Sequence, residues 1–326
     1  MNTDLIQQAL SFYGIEPAKI FAAQKGYRNK SFHVKTKSGE DLNLILYKSE
    51  AGILGRIKRA DRLSEAAHQR QLPVRHLFDQ RILTLRGPSR TTYARLYHYL
   101  PGQSIAWEMF SMDHIKLLGL AMSDLHFALK NSPVKLPPAT NELSAIHQRM
   151  QSYFARQDVK SAMRTKLNIS SGPDTNFTAA LQQVAQLTAQ PLHLDLVRGN
   201  LLFQKNSKNP TWRIGSTTLS GIIDFEKAAA GHPILDLARS YAFLLVDVAG
   251  KPPAKIFKYL FTSGYQKRGR SQIDLDPKLF QQLTNFFLTY DFYKFLRHNP
   301  YESLPLNHHF VRTRDLLTSK RVVKSI

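Results

Sequence analysis

The first hundred positions of the chain alternate between hydrophobic and polar residues in short runs. Residues 31–36 alternate, residues 39–40 are typical of a turn, and residues 42–47 form a second apolar run, so together they predict a β-hairpin. Residues 82–85 and 93–97 have the same character and predict two further strands. The pattern therefore predicts a small antiparallel sheet at the N-terminal end.

One helix interrupts these strands. Apolar residues at three- and four-residue steps predict a helix over residues 57–70, which Pro73 would end. The strand pattern stops at the sequence Tyr-Leu-Pro-Gly of residues 99–102, because proline lacks the N–H that a strand uses and glycine permits a sharp turn. We expect a domain boundary here, with residues 1–99 before it and residues 100–326 after it.

The remainder of the chain is mainly helical in pattern. Because strands come first and helices later, the order predicts an α+β protein with two lobes. The helical periodicity is found over residues 113–129, 144–164, 176–189, 234–248, 253–264 and 277–296.

The most informative polar residues lie between two of these helices. In kinases an aspartate accepts the proton of the attacking hydroxyl, and an asparagine five positions later and a further aspartate hold Mg²⁺. Asp195 and Asn200 have this separation, and Asp224 follows an apolar, strand-like run. Mg²⁺ commonly binds one or two carboxylates, with phosphate oxygens completing its shell. The order predicts phosphoryl transfer from ATP with Mg²⁺, with Asp195 as the catalytic residue and Asn200 and Asp224 as metal ligands.

The sequence around these residues resembles that of a known family. His193-x-Asp195-x4-Asn200, followed by Asp224-Phe225-Glu226, is similar to the aminoglycoside phosphotransferase and choline kinase superfamily of small-molecule kinases, and the similarity runs from about residue 20 to about residue 300. The resemblance implies a protein-kinase-like two-lobed fold, with a small antiparallel sheet lobe carrying one helix, a larger helical lobe, and ATP between them. The family more often has glycine at position 194, where this chain has leucine.

Other residues of this segment have roles that the sequence leaves open. His193 is more typical of a residue that holds the loop than of a general base. Asp236 resembles the family's structural acid and would support the catalytic loop. Arg198 points either to the substrate or to solvent, and Glu226 either supports the metal site or faces the substrate.

The nucleotide would be covered by the N-terminal sheet. Gly26, Asn29 and Ser31 lie where kinases fold a hairpin over the phosphates, since glycine allows the backbone to approach an anion closely. Lys48 follows the second strand and would meet the α- and β-phosphates. Glu65 on the predicted helix is its candidate partner, because a carboxylate between small and apolar residues needs a cation to offset its desolvation.

The hinge between the lobes would hold the adenine ring. By resemblance, the segment from Tyr97 to Tyr99 would present backbone N–H and C=O groups to it. The side chains themselves carry little information on this point.

Charge and composition limit the classes of function. The net charge is +21, which indicates either a basic surface or a nucleic-acid partner. No arginine–glycine repeat or zinc-finger spacing supports nucleic-acid binding. The chain has no cysteine, no run long enough to span a membrane, and no secretory signal, so we expect a cytoplasmic protein.

The acceptor would be a hydroxyl group on a small molecule, and its identity stays open. Residues 251–326 carry 14 basic and five acidic side chains, which opposes a polycationic acceptor of the aminoglycoside type. The charge does not exclude such an acceptor, and an amino alcohol, a sugar, a homoserine-like and an aminoglycoside-type acceptor all remain possible. Two alternatives remain, a catalytically silent nucleotide-binding module and a basic protein associated with nucleic acid. Acidic residues that could concentrate near a cationic acceptor are Asp247, Asp274, Asp276 and Asp291.

Overall fold

The structure is a computed structural model of the chain, and it combines an antiparallel sheet lobe with a larger helical lobe. This confirms the predicted α+β fold class. None of the described helices is long and apolar enough to cross a membrane. The structure describes residues 2–22, 24–25, 29–87, 91–106, 109–205, 212–248, 250–270 and 273–318.

The N-terminal lobe is built on a six-stranded antiparallel sheet. Its strands run in the order β1-β3-β4-β6-β5, and β2 pairs with β3 at one edge. The predicted hairpin is confirmed, since β3 and β4 pair along their lengths. The strands are β1 (Pro17–Ile20), β2 (Gln24–Lys25), β3 (Lys30–Thr36), β4 (Asp41–Tyr47), β5 (Leu83–Arg86) and β6 (Thr91–His98).

Two helices cover the two faces of this sheet. Helix α1 (Asn2–Phe12) packs its apolar residues against one face, in a cluster that includes Leu42, Leu44 and Leu46 of β4. Helix α2 (Ile53–His68) packs against the other face, and buries side chains at three- and four-residue steps. The sequence predicted α2, although it begins four positions earlier than expected, and it did not predict α1.

The chain leaves the sheet at the predicted break. Gly102 has φ +121°, and a Cβ atom there would collide with Ser220 and with the carbonyl oxygen of Phe203. Ser220 Oγ donates to Pro101 O at 2.7 Å, and Gln103 and Phe203 exchange backbone hydrogen bonds. Only glycine fits this close passage. We keep residues 1–99 and 100–326 as the proposed domains on this basis.

The second lobe is mainly helical, with two short sheets among its described residues. Strands β8, β10 and β9 form one sheet, and β11 pairs with β7. The strands are β7 (Gln190–Leu192), β8 (Leu201–Lys205), β9 (Arg213–Ile214), β10 (Thr217–Ile222) and β11 (Ala229–Gly231). The helices are α3 (Met112–Leu129), α4 (Ala139–Ala155), α5 (Gln157–Leu167), α6 (Thr178–Ala185), α7 (Ile234–Asp247), α8 (Pro253–Phe257), α9 (Pro277–His298) and α10 (His308–Thr318).

A close helix contact lies at the centre of this lobe. Helix α8 continues into a π-helix, Lys258–Tyr265, which packs against α3. Gly119 of α3 and Gly264 of the π-helix meet with their Cα atoms exposed to each other, so that a Cβ on either would strike backbone atoms of the other helix. The predicted helix over residues 253–264 is therefore present, but its second half has π geometry.

Candidate active site

The predicted catalytic residues occupy a loop between β7 and β8. Asp195 is buried, with 5% of its surface exposed, and its Oδ2 accepts hydrogen bonds from Asn200 Nδ2 at 3.0 Å and Lys227 Nζ at 2.8 Å. Burial opposes ionisation of this carboxyl, but the charges of Lys227 and Arg239 lower its pKa. Asp195 is therefore a carboxylate at neutral pH, ready to accept a proton.

One buried carboxylate holds this loop in shape. Asp236, at the start of α7, is fully buried and accepts the backbone N–H groups of His193 at 3.1 Å and Leu194 at 2.6 Å. Its Oδ2 also lies 2.9 Å from His126 Nε2, and His126 Nδ1 lies 2.8 Å from Tyr265 Oη. Because a carboxylate only accepts, His126 donates through Nε2 and accepts from the tyrosine hydroxyl. This supporting role matches the one expected for Asp236.

The loop contains a residue with a strained backbone, Leu194, at the position where glycine was expected from the resemblance. Leu194 has φ +59°, in the left-handed region that disfavours side chains with a Cβ. His193 is fully buried, accepts the N–H of Asp195 at 3.2 Å and donates to Ile223 O at 3.1 Å. Burial lowers the pKa of His193, so it stays neutral. His193 therefore joins the catalytic loop to the end of β10.

The backbone segments that carry the two predicted metal ligands, Asn200 and Asp224, are joined by a hydrogen bond. Asp224 directly follows Ile223, whose N–H donates to Asn200 O at 3.0 Å. Asn200 uses its amide nitrogen to bind Asp195, which leaves its side-chain oxygen for a cation. Burial and the adjacent Glu226 raise the pKa of Asp224 to about 8. A divalent cation would relieve this repulsion, so the donor set fits Mg²⁺.

Glu226 joins this group to the N-terminal lobe. Its Oε1 accepts from Tyr47 Oη at 2.9 Å and from Arg75 at 2.8 Å, while its Oε2 is buried without a donor among the described residues. Burial alone would raise the pKa of Glu226, but Arg75 holds it at about 2. The sequence left Glu226 between two roles, and the structure shows it as a charged link between the lobes beside Asp224.

The network continues into the N-terminal lobe. Tyr97 Oη lies 2.9 Å from Tyr47 Oη and donates to Asp61 Oδ1 at 2.8 Å, and Asp61 is paired with Arg95 at 2.6 Å. The Arg75 guanidinium lies 4.5 Å from the centre of the Tyr97 ring. We call these residues the interlobe network, and its members are Tyr47, Asp61, Arg75, Arg95, Tyr97 and Glu226.

This network corrects the predicted pair of Lys48 and Glu65. Lys48 is exposed, and Glu65 Oε1 instead accepts the N–H of Leu77 at 2.6 Å. No ion pair joins the two in the described parts of the chain. The predicted pairing is therefore wrong. The carboxylate that α2 contributes to the interior is that of Asp61, one turn before Glu65. The cation next to Asp224 and Glu226 is Arg75.

The residues expected at the nucleotide phosphates are only partly described. Gly26 lies outside the described residues. Asn29 Oδ1 accepts the N–H of Lys48 at 3.2 Å, and Ser31 Oγ donates to Asn43 at 2.6 Å. Asn29 thus ties the hairpin to the end of β4, where Lys48 lies. Direct contact of Asn29, Ser31 and Lys48 with phosphate stays a prediction.

The hinge differs from the expectation. The N–H groups of His98 and Tyr99 donate to His76 O and Asp41 O, both at 3.1 Å, so they are not free to face adenine. Tyr97 lies within β6, paired with β4, and its hydroxyl belongs to the interlobe network. The predicted presentation of N–H groups to the base is therefore corrected, while contact of the C=O groups of Tyr97 and Tyr99 with the base stays a prediction.

A stack of three imidazoles lies behind the hinge. His76 stacks on His68 at 3.8 Å and on His98 at 4.5 Å between ring centres. Burial and the two neighbouring rings lower the pKa of His76 to about 4. The stack is therefore neutral at its centre at physiological pH.

Two residues of the second lobe complete the account of the predictions. Arg198 donates to Asp247 and to Ile105 O, both at 2.8 Å, so it packs within the lobe and does not point to solvent. Lys227, which binds Asp195, was missed by the sequence reasoning. It lies three positions after Asp224 in a 3₁₀ turn, Phe225–Lys227, and no spacing rule singled it out.

Comparisons with known proteins agree with this geometry. A sequence model of the phosphotransferase enzyme family (APH) matches residues 20–269. A sequence search of curated proteins finds no significant match. The full-length fold is similar to that of the amicoumacin kinase hAmiN, solved with AMP-PNP, Ca²⁺ and Ami, with TM-score 0.64, 13% identity, and coverage of 99% of this chain and 97% of that one.

Two further solved structures show the same fold. A microcompartment-associated aminopropanol kinase gives TM-score 0.60 and 14% identity, with coverage of 99% of this chain and 100% of that one. A macrolide 2'-phosphotransferase from Brachybacterium faecium gives TM-score 0.57 and 14% identity, with coverage of 98% of both chains. At these identities the likeness establishes the fold.

Proposed function

This chain belongs to the phosphotransferase enzyme family and is a small-molecule kinase, and from that premise we propose that it moves the γ-phosphoryl group of ATP to a hydroxyl of a small acceptor. The observation that supports the proposal is that Asp195, Asn200 and Asp224 are held next to one another, close enough for the charge of Asp195 to act on Asp224. Asn200 binds Asp195 directly, and the backbone of Asn200 binds the residue before Asp224. This is the arrangement that phosphoryl transfer requires.

Asp195 would accept the hydrogen of the attacking hydroxyl. Its lowered pKa keeps it ionised, and Lys227, 2.8 Å from Oδ2, orients the carboxylate. Phosphoryl transfer depends mainly on positioning and on charge neutralisation, so a carboxylate of ordinary basicity suffices. The Asp236 hydrogen bonds fix the loop, so Asp195 needs no rearrangement before it acts.

Asn200 and Asp224 would hold Mg²⁺. When bound, the metal neutralises phosphate charge and orients the transferred group. Glu226 stands beside Asp224 and is fixed by Tyr47 and Arg75, so that Asp224 faces a rigid neighbour. Lys48, exposed at the end of β4, is the proposed contact of the N-terminal lobe to the phosphates, together with Gly26, Asn29 and Ser31 of the hairpin.

Nucleotide binding and turnover test the proposal separately. We expect ATP with Mg²⁺ to raise the melting temperature of the wild-type protein, and Asp224→Ala to lose that shift. Asp195→Asn should keep the shift, but should lower the rate of acceptor-dependent ADP release by about 10²- to 10⁴-fold, as when a general base is removed. The measurements are thermal scans and a coupled ADP assay over hydroxyl compounds.

Two results would contradict the proposal in different ways. Absence of any ATP-dependent shift would exclude the nucleotide site. A normal shift with no acceptor-dependent ADP release would favour a silent nucleotide-binding module. Lys278→Gln is the matched control, since Lys278 is an exposed lysine at the far end of α9 and should change neither readout.

A further inference from the structure

The catalytic loop adjoins a group of cations contributed by the 3₁₀ turn Phe225–Lys227 and by the helices α7 and α9. Lys227 binds Asp195, and Arg239 of α7 donates to Asp291 Oδ2 of α9 at 2.7 Å. Lys294 of α9 lies 2.6 Å from the other oxygen of Asp291. We call Lys227, Arg239 and Lys294 the cation cluster.

The three cations lie close enough to act on one another and on Asp195. Lys227 lies 2.8 Å from Asp195, and Arg239 and Lys294 bind the two oxygens of Asp291 at 2.7 and 2.6 Å. Burial, together with the charges of Arg239 and Lys227, lowers the pKa of Lys294 against the pull of Asp291. The cluster is therefore one electrostatic unit next to the residue that would receive the acceptor's proton.

Both carboxylates of this unit are already bound. Asp291 gives one oxygen to Arg239 and one to Lys294, and these two cations hold its pKa at about 2 despite its burial. Asp195 has its Oδ2 occupied by Lys227 and Asn200. Three cations thus face two carboxylates, and an ammonium group entering here would find no free carboxylate of the cluster.

The other acidic residues considered for a cationic acceptor do not change this balance. Asp247 is paired with Arg198 at 2.8 Å. Asp276 caps the N-terminus of α9, about four turns and roughly 22 Å along the helix from Asp291. Asp274 is exposed and lies two positions before Asp276, outside α9. Of the two acidic residues on the other side of Asp195, Glu226 is paired with Arg75 and Asp224 is the proposed Mg²⁺ ligand, so the positive excess at the cation cluster stands.

The cation cluster is buried at Arg239 and exposed at Lys227 and Lys294. The Arg239 side chain is 8% exposed and lies over the rings of Phe243 and Phe287, whereas Lys294 is 38% and Lys227 55% exposed. Lys294 also lies 4.6 Å from the centre of the Tyr290 ring. A rigid guanidinium below two accessible ammonium groups suits a small anion bound through charge-assisted hydrogen bonds.

We propose that the acceptor carries an anionic group, a carboxylate or a phosphate, that binds Lys294 above Arg239 while its hydroxyl faces Asp195 and Lys227. The inference rests on the proposed function and adds the chemical class of the substrate. It separates this chain from enzymes whose acceptors are polycations. It also gives a role to the positive charge of the C-terminal region, which draws anions toward the cleft.

Matched acceptors that differ only in charge test the proposal. One series is glycerol, glycerate, glycerol 3-phosphate and 3-amino-1,2-propanediol, and a second is glucose, gluconate, glucose 6-phosphate and glucosamine. We expect the full-length enzyme to release ADP with anionic members at rates at least tenfold above their neutral and amine counterparts. Comparison of carboxylate with phosphate members identifies which anion the site takes.

Variants of one helix connect the preference to the site. Lys294→Gln should raise the KM for the anionic acceptor about tenfold, with the KM for ATP changed less than twofold, because only the acceptor contact is lost. Lys278→Gln removes the same charge from the same helix and should leave both KM values unchanged. Lys294→Glu should shift preference toward the amine members.

Each outcome decides the matter. If ADP is released with neutral or cationic acceptors as fast as with anionic ones, or faster, the inference is rejected and the proposed kinase function stands. Equal effects of Lys294→Gln and Lys278→Gln would also reject it, since bulk charge would then explain the preference. Absence of nucleotide stabilisation instead contradicts the kinase function itself.

Discussion

The two walls of the cleft hold their charged groups in different ways. The catalytic loop is fixed within its own lobe by one buried carboxylate, Asp236, which accepts two backbone N–H groups and the His126 ring. The opposite wall depends on Arg75 and Glu226, which join side chains of both lobes. Removal of Asp236 would therefore disorder the catalytic loop. The Arg75–Glu226 pair depends instead on how the two lobes are positioned.

The difference shows that the catalytic loop is rigid within its own lobe, whereas the interlobe network depends on both lobes. A loop that positions the reacting oxygen gains from local hydrogen bonds that do not depend on ligand. A network that crosses between lobes can respond when the lobes approach a nucleotide, because its pair bridges them. The next three predictions test this division, starting with the largest expected effect.

Loss of Asp236 should be the most costly single change. Asp236→Ala leaves two N–H groups and His126 without their acceptor inside the protein, and we expect the free energy of unfolding to fall by about 3–5 kcal/mol. Urea unfolding followed by circular dichroism measures this. Turnover should fall as well, since Asp195 loses its support.

Asp276→Ala is the matched control, because Asp276 also accepts two backbone N–H groups but is exposed at the start of α9. It should cost only about 1 kcal/mol, the usual value of a helix N-cap. Similar losses for the two variants would contradict the claim that burial makes Asp236 the anchor of the loop.

The interlobe pair should show strong coupling. Arg75→Met and Glu226→Gln each leave a buried partner without its counter-charge, and each should destabilise the protein by roughly 2–3 kcal/mol. The double variant should recover part of the loss, which gives a coupling energy of about 1–3 kcal/mol. Unfolding of the four proteins in a double-mutant cycle measures it.

The corrected pair supplies the comparison for this cycle. Lys48→Met and Glu65→Gln should be additive within about 0.5 kcal/mol, because the two side chains do not pair. Lys48→Met alone should raise the KM for ATP if Lys48 contacts phosphate. Strong coupling between Lys48 and Glu65, with none between Arg75 and Glu226, would reverse our assignment.

The imidazole stack should have the smallest effect, and it should depend on pH. The pKa of His76 is about 4 in the folded protein and about 6.5 when unfolded. The unfolded chain therefore binds the proton first, so the stability contributed by His76 is complete above pH 6.5 and is lost as the pH falls toward 4. Melting temperatures across this window should decline less in His76→Phe than in the wild type.

A wild-type profile that stays flat between pH 6.5 and 4 after subtraction of the His76→Phe profile would show that His76 is protonated equally in both states. His308→Phe serves as control, since His308 is an exposed histidine at the start of α10 and takes no part in the stack. That variant should leave the slope of the wild-type profile intact.

Local patterns of apolar and polar residues were enough to predict most of the fold. The hairpin of β3 and β4 and the helix α2 follow from period-two and helical spacing, and both confirm the prediction. Helix α1 was missed although its buried Ile6 and Leu10 are one turn apart, because a single apolar stripe that short is a weak signal.

The site divides along the same line. Asp195 and Asn200 were placed together because five residues of chain separate them, and local spacing limits their distance. The partner of Lys48 depended on which face of the sheet it occupies. Lys48 has the parity of Leu44 and Leu46, which face α1, so it points away from α2, and Tyr47 takes the position facing that helix.

Contacts between distant segments left no signal in one sequence. Arg75 meets Glu226, and Arg239 meets Asp291, only after the whole chain has folded. Each residue type at these positions is ordinary for an exposed surface. Alternation of strand residues could have corrected Lys48, but nothing in the spacing points to these two pairs.

The meeting of Gly119 with Gly264 has a consequence for how the enzyme can change. The helix α3 carries His126 and the π-helix carries Tyr265, and these two bind each other on the way to Asp236. The close contact of these two buried glycines thus sets the distance between the two helices whose side chains support Asp236. At the proposed acceptor site, surface substitutions on α9 would change which acceptor is bound. One added methyl group at the helix crossing would instead shift His126 and Tyr265, and through Asp236 it would change the orientation of Asp195.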